Sequence, residues 1–147
     1  MTTISIGNIN LKLSTRGDYA VRVLLELATE VDQEWVALAE LAERTGISAK
    51  YLEQILMRLR TARVVKAKRG AGGGYALARP SAEVTIGEVV RVMDGPLAPS
   101  PCASRTAHAP CPEYRCPSEE GCVLRGLWVE VREAISQVVD ATTFGDL

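Results

Sequence analysis

All four cysteines of the 147-residue chain fall in one stretch: Cys102, Cys111, Cys116 and Cys122, spaced C-x8-C-x4-C-x5-C. Four clustered thiols can form disulfides, bind a soft metal, or serve as small core residues. Disulfides are disfavoured if the chain stays in a reducing compartment. The segment from Met1 to Lys12 is polar, with no apolar core of a leader peptide. No run of eighteen uncharged apolar residues would span a membrane. The expected compartment is therefore the cytoplasm. A core role is also disfavoured, because the stretch is rich in Pro, Ser and Gly and nearly free of large apolar side chains. Structural zinc sites usually separate paired ligands by two to four residues, so these gaps fit zinc poorly. An iron–sulfur cluster is larger than one ion and is held by thiolates that can lie further apart. The spacing matches no standard ferredoxin run. His108, the sole histidine, lies between Cys102 and Cys111 and is read as solvated rather than as a ligand.

The elements around this loop follow from periodicity. Residues 97–121 form a connection far longer than a compact domain normally needs, so the loop is either disordered or held by something. After it, a helix is predicted from about Cys122 to Thr142. Leu124, Trp128, Val131, Ile135 and Val138 are spaced four, three, four, three, a heptad seam suited to pairing with another helix. Glu130, Arg132 and Glu133 on its other side exclude a membrane helix. At ~1.5 Å per residue it spans about 30 Å, and a twofold homodimer is the commonest way to cover such a seam.

Upstream, Met1–Lys12 reads as a loose extension, followed by a helix from a cap at Ser14 to about Val31. Ala20, Leu24, Leu27 and Val31 form its apolar stripe, widened by Val21, Leu25 and Ala28. A short helix over Val36–Arg44 ends at Thr45-Gly46, and a second runs from about Ala49 to Ala62. In the second, Leu52, Ile55, Leu56 and Leu59 face inward, leaving Lys50, Glu53, Gln54, Met57, Arg58 and Arg60 outside. Val64–Lys68 and Tyr75–Leu77 then flank Arg69-Gly70-Ala71-Gly72-Gly73-Gly74, a hairpin with a basic, glycine-rich tip. A nucleotide-binding loop is excluded, since no Gly-Lys-Ser/Thr ending is present and the glycines open no helix. Thr85-Ile86-Gly87-Glu88 has the spacing of a capping box before a stripe of Ile86, Val89, Val90 and Met93, stopped by Asp94-Gly95-Pro96.

Charge distribution adds the partner. The whole chain carries −1, yet Arg44–Arg69 holds eight basic residues against Glu53 alone, a local +7 that leaves −8 elsewhere. A basic face on an acidic protein is the footprint of nucleic-acid contact. The expected fold is mostly α with a small β-hairpin: a winged helix-turn-helix with a long C-terminal dimerisation helix. Expected divisions are an extension at 1–12, the DNA-binding domain at 13–96, the cysteine loop at 97–121, and the dimerisation helix with its tail at 122–147.

Four stretches make the chain resemble the IscR-type (Rrf-two) family of bacterial regulators over Leu13–Leu147. They are Leu13–Ala20, Ile47–Leu56, Arg69–Tyr75 and Cys122–Trp128. The resemblance implies a homodimer with C-terminal helices crossing between subunits and an iron–sulfur cluster near the interface. It implies a transcription regulator, usually a repressor, whose DNA affinity changes as the cluster responds to cluster supply, iron, redox state or nitric oxide. Well-known members use three cysteines and a histidine three residues past the last; here Arg125 stands there and cannot ligate iron. Cys102, Cys116 and Cys122 resemble the family's three, which leaves Cys111 to complete an all-thiolate site. Some relatives instead use an acidic side chain from the partner's first helix, the position of Asp18, which is therefore a rival fourth ligand. All-cysteine ligation suits [4Fe-4S] or [2Fe-2S], with [4Fe-4S] preferred.

For double-stranded DNA, the helix beginning at Ser48 would enter the major groove, with Ser48, Lys50, Tyr51, Glu53 and Gln54 nearest the bases. Arg58 and Arg60 would hold phosphates. Arg69, with Gly72 and Gly73 allowing close backbone approach, would reach a neighbouring minor groove. A dimer implies a palindromic operator. The alternatives are a thiol- or zinc-dependent regulator with the same DNA module, or a small iron–sulfur electron carrier, which would have no use for the basic helix. No nucleophile–base or carboxylate pair suggests an enzyme.

Overall fold

The computed structural model describes residues 12–30, 34–111 and 118–147. Among them, five helices and one hairpin run in the order α1 (Thr15–Ala28), α2 (Leu38–Thr45), α3 (Ala49–Thr61), β1 (Val65–Lys68), β2 (Gly74–Leu77), α4 (Ile86–Asp94) and α5 (Val123–Ala141). The expected extension at 1–12, save Lys12, lies outside the described residues, as do Val31 and Cys116.

Local sequence sets most of these boundaries. Ser14 caps α1 by accepting from the Gly17 amide at 2.9 Å, and its own amide and hydroxyl donate to Asp94 at the end of α4. Those bonds tie the first and fourth helices together. Gly46 ends α2 in the left-handed conformation at φ 71°. Thr85 caps α4 by accepting from Glu88 N at 3.1 Å. The reciprocal half of the expected capping box is replaced, because the Glu88 carboxylate is drawn to Arg79 at 2.5 Å.

The core lies between α1, α3, α4 and the hairpin. Leu52, Ile55, Leu56 and Leu59 are all buried, as their spacing predicts. In α1 the buried set is Ala20, Val23, Leu24 and Leu27, with Val21, Leu25 and Ala28 half-buried beside it. The hairpin is antiparallel, pairing Val65 with Leu77 and Lys68 with Gly74. Val36 is not the start of α2 as expected. It is extended, buried, and bridges Tyr75 through two backbone bonds of 2.9 and 3.0 Å, a third short strand at the hairpin's edge. Pairing of its amide and carbonyl outweighs any helical preference of one β-branched residue.

The C-terminus folds back. Phe144 is buried in the same core, its amide donating to the Val84 carbonyl at 3.0 Å, while Ile86 N donates to Thr142 O. α5 docks on α4 through Arg91, whose guanidinium bonds both Asp140 oxygens at 2.6 and 2.9 Å. Arg91 thereby holds the Asp140 carboxyl below its ordinary range, so this contact is present at neutral pH and is lost as pH falls through that lowered value.

Gly74 shows how tightly the three strands meet. Its φ is 147°, and a Cβ there would lie 2.2 Å from the Val36 carbonyl oxygen. Gly74→Ala is expected to cost about 2 kcal/mol or more through that clash and the strained backbone. Urea unfolding measures it, and a loss below about 0.5 kcal/mol would contradict the close three-strand packing.

Candidate nucleic-acid interface and thiol site

The outer side of α3 is built by its inner side. With four aliphatic residues buried, 3.6-residue geometry places Lys50, Gln54 and Met57 at the centre of the solvent face, with Arg58 on one flank and Glu53 and Arg60 on the other. All six are exposed. Ser48 caps the helix, accepting from the Tyr51 amide at 3.3 Å, so its oxygen is engaged while its hydroxyl can still donate. Tyr51 is half-buried, its ring set edge-on to Tyr19 at 5.7 Å, which makes it the least available of the sequence candidates. Met57 was not among them, yet it is 65% exposed in the middle of the face. An apolar residue there is suited to a thymine methyl, and its place in the i+3 row from Gln54 was the available signal.

The hairpin tip projects from the same basic region. Gly70 and Gly72 have φ of 91° and 71°, and Gly73 N closes the turn on Gly70 O at 3.0 Å. A Cβ on Gly73 would meet the Lys68 carbonyl at 2.2 Å, whereas Gly72 faces open space. Glycine at 73 is thus needed by the turn itself, and at 72 by its positive φ. Arg69 is exposed at the base of this turn. Together, the α3 face and the tip offer cationic groups, amide donors and bare backbone, the chemistry of phosphate and groove contact.

The cysteine loop is anchored at its start. Pro101–Ala103 forms a 3-10 turn that buries Cys102 at 4% exposure, with Ala98, Ala103 and Ser104 also buried. Arg132 of α5 donates to the Ala103 carbonyl, and Glu133, pulled to low pKa chiefly by Arg132 and also by Arg105, pairs with both guanidinium groups. Cys111 returns to this turn: its Sγ lies 4.0 Å from that of Cys102, and Ser100 Oγ is 3.3 Å from Cys102 Sγ and 4.0 Å from Cys111 Sγ. Burial pushes the Cys111 thiol up, and both Cys102 and Cys122 push it the same way. Cys122, at the N-cap of α5, is therefore within electrostatic reach of the pair.

The donor set fits a metal centre. Two thiols converge, Cys122 bears on Cys111 electrostatically, and the fourth cysteine, Cys116, falls outside the described residues. Among the described residues alone, no group of three or more His, Cys, Asp or Glu side chains is gathered closely enough to hold an ion. Asp18 is in the first turn of α1, paired with Arg22 at 2.8 Å. His108 contacts Glu119 at 3.1 Å, and Arg125 faces the same carboxylate at 3.7 Å.

α5 contributes no buried residue. Arg132, Ser136, Val139 and Asp140 face the rest of the chain. Leu124, Leu127 and Val138 are 53%, 46% and 66% exposed, and Trp128, Val131 and Ile135 are only half-covered. No helix of the described residues is long and apolar enough to cross a membrane.

Comparison with known proteins agrees with this fold. The family model Rrf2, described as an iron-dependent transcriptional regulator, matches residues 13–147. An rrf2-like HTH-type transcriptional regulator of Rhodobacter capsulatus is 40% identical over 132 residues, covering 88% of this chain and 87% of its own. The HTH-type transcriptional regulator CymR of Bacillus subtilis is 34% identical over 137 residues, covering 93% and 89%. Its crystal structure, described as that of the global cysteine regulator, superposes with a TM-score of 0.75 over 93% of this chain and 95% of that one. The structure of T. potens IscR superposes at 0.70 with 34% identity, covering 95% and 88%.

Replacing Arg69 at the tip tests the interface. Arg69→Ala is expected to weaken duplex binding and to lower the slope of log affinity against log salt by about 1, the loss of one cationic contact in the minor groove. An unchanged salt titration would remove the tip from the interface.

Proposed function

The chain belongs to the Rrf2 family of transcriptional regulators, and we propose that it is a dimeric repressor whose hold on DNA is set by an iron–sulfur cluster in the cysteine loop. DNA-binding regulation, rather than enzyme activity, follows from the family itself. The observation that carries the cluster reading is the approach of Cys111 to Cys102 at 4.0 Å on a turn fastened to α5. Cys102, Cys111, Cys116 and Cys122 are the ligands, and Asp18 of the first helix remains the rival for Cys111's place. A bound cluster supplies a linkage that iron supply, oxidants or nitric oxide can remove.

The protein's own residues do the rest. Arg132 holds the Cys102 turn on α5, Arg91 holds α5 on α4 through Asp140, and α4 packs against α3. A change in the loop is thereby handed to the helix that enters the major groove. Leu124, Trp128, Val131, Ile135 and Val138 meet their counterparts in a second copy across a twofold axis, which sets the spacing of two α3 helices on a palindromic operator. Lys50, Glu53 and Gln54 read base edges, Arg58 and Arg60 hold phosphates, and Arg69 reaches a neighbouring minor groove.

All-cysteine ligation would suit either [4Fe-4S] or [2Fe-2S], and the 4.0 Å approach of Cys111 to Cys102, an S–H···S contact in itself, is compatible with both.

A second reading has its own support. The same thiol pair, with the 34% identity to CymR, suits a regulator that responds through its cysteines without iron, or through zinc. Preparation without air separates the readings. The cluster reading expects absorbance near 400 nm, with iron and sulfide that Cys102→Ala and Cys111→Ala each reduce severalfold, and duplex affinity that shifts on chelation. Colourless, iron-free protein whose DNA binding ignores reconstitution would leave the thiol reading in its place.

A further inference from the structure

The end of α3 carries a residue type that its backbone disfavours. Arg63 has φ of 60°, and among the described residues it is the one residue other than glycine in the left-handed region. Two hydrogen bonds fix it there: Arg63 N donates to Arg60 O at 3.0 Å, and Val64 N donates to Leu59 O at 2.9 Å. That pair is the Schellman closure of a helix, in which the residue after the cap turns left-handed. Leu59 and Val64, which complete the closure, are both fully buried, so the turn cannot relax by moving the chain outward. Glycine is the usual occupant of such a turn, as Gly46 is after α2. An L side chain there crowds its Cβ against the following carbonyl. The fold gains little from the arginine in return. Arg63 is exposed and makes no ion pair among the described residues. Arg58 and Arg60 already supply cations to the last turn of the helix, where they suit the negative end of its dipole.

We propose that Arg63 is a contact to a DNA phosphate, kept at the junction of α3 and the hairpin at the expense of fold stability. Strained backbone persists only where the surrounding structure fixes it, and such positions gather at functional sites. Arg63 lies three residues beyond Arg60 and two before Val65, so it joins the two elements that form the candidate interface. A guanidinium is always charged and its fork matches two phosphate oxygens. A base contact is disfavoured by distance along the helix. At ~1.5 Å per residue, Arg63 stands about 20 Å beyond Ser48, whereas the residues that read bases cluster in the first turns. In helix-turn-helix modules of this kind, the far end of the same helix can lie on the sugar–phosphate backbone.

This inference rests on α3 facing DNA, as proposed above, and the experiment separates the two. Phosphate contacts ignore sequence, so the probe is a mixed-sequence duplex of about 30 base pairs titrated with salt, beside thermal unfolding of the same full-length samples. Each phosphate contact contributes about 0.9 to the salt slope. Arg63→Gly is expected to weaken binding about three- to tenfold and to lower the slope by about 1. The same variant is expected to raise Tm by about 2 to 5 °C, as the left-handed turn loses its strain. A purely structural arginine would not give tighter folding together with weaker binding. Arg63→Asn, which tolerates the same turn, is expected to lose binding in the same way. Arg63→Lys keeps both charge and strain, and is expected to keep the slope and the native Tm. Native affinity and slope in Arg63→Gly would overturn the contact while leaving the interface intact. A fall in Tm in Arg63→Gly would overturn it too, since the arginine would then serve the helix end. Failure of the native protein to bind the duplex at all would instead overturn the interface.

Discussion

The structure depends on how α5 is fastened. One side of this helix is held to its own chain by polar ties rather than burial: Arg91 to Asp140 at the C-terminal end, and Arg132 to the Ala103 carbonyl further up. None of its residues is buried. Partly exposed ion pairs contribute little stability each, so the helix is located by direction-specific bonds more than by apolar area. What those bonds leave exposed or half-covered is the row of Leu124, Trp128, Val131, Ile135 and Val138. A helix of 19 residues with this partly exposed row needs a second surface, and in the proposed dimer it finds one in its twin.

The same fastening joins two kinds of chemistry. At one end of α5 sits Cys122, which bears electrostatically on Cys111, itself packed on the Cys102 turn that Arg132 grips. At the other, the chain leaves the helix and drops Phe144 into the core shared by α1, α3 and α4. The thiols are thus linked to the nucleic-acid face by contiguous contacts. Family membership fixes the output, which is transcriptional regulation. In the proposed mechanism the input depends on what occupies the thiols.

The exposed face of α3 was legible in the sequence because it is periodic. The alternation of Leu52, Ile55, Leu56 and Leu59 with charged residues fixes which side of α3 faces out, and the glycine run at 70–74 marks a turn that needs positive φ. What was not legible lacks a period. Val36 is one residue of extended chain, and only its pairing with Tyr75 makes it a strand. That pairing in turn places Trp35 over the hairpin, so neither could be read without the tertiary fold. The return of Phe144 was hidden for the same reason, as a lone aromatic in a short tail has no pattern. Glu88 had the right spacing for a capping box, but Arg79, nine residues earlier, offered it a charge instead. In the loop, spacing suggested thiolate ligation, whereas the pairing of Cys102 with Cys111 through the turn at Pro101 depends on irregular backbone that no spacing rule describes.

The central claim is that occupancy of the thiol site is transmitted to DNA through α5. Its most direct test is the difference in duplex affinity between iron-loaded and chelated protein, measured in the native sequence and in Arg132→Ala with iron content followed in both. The account predicts that Arg132→Ala still takes up iron but loses most of that difference. A full-sized difference in Arg132→Ala would contradict it.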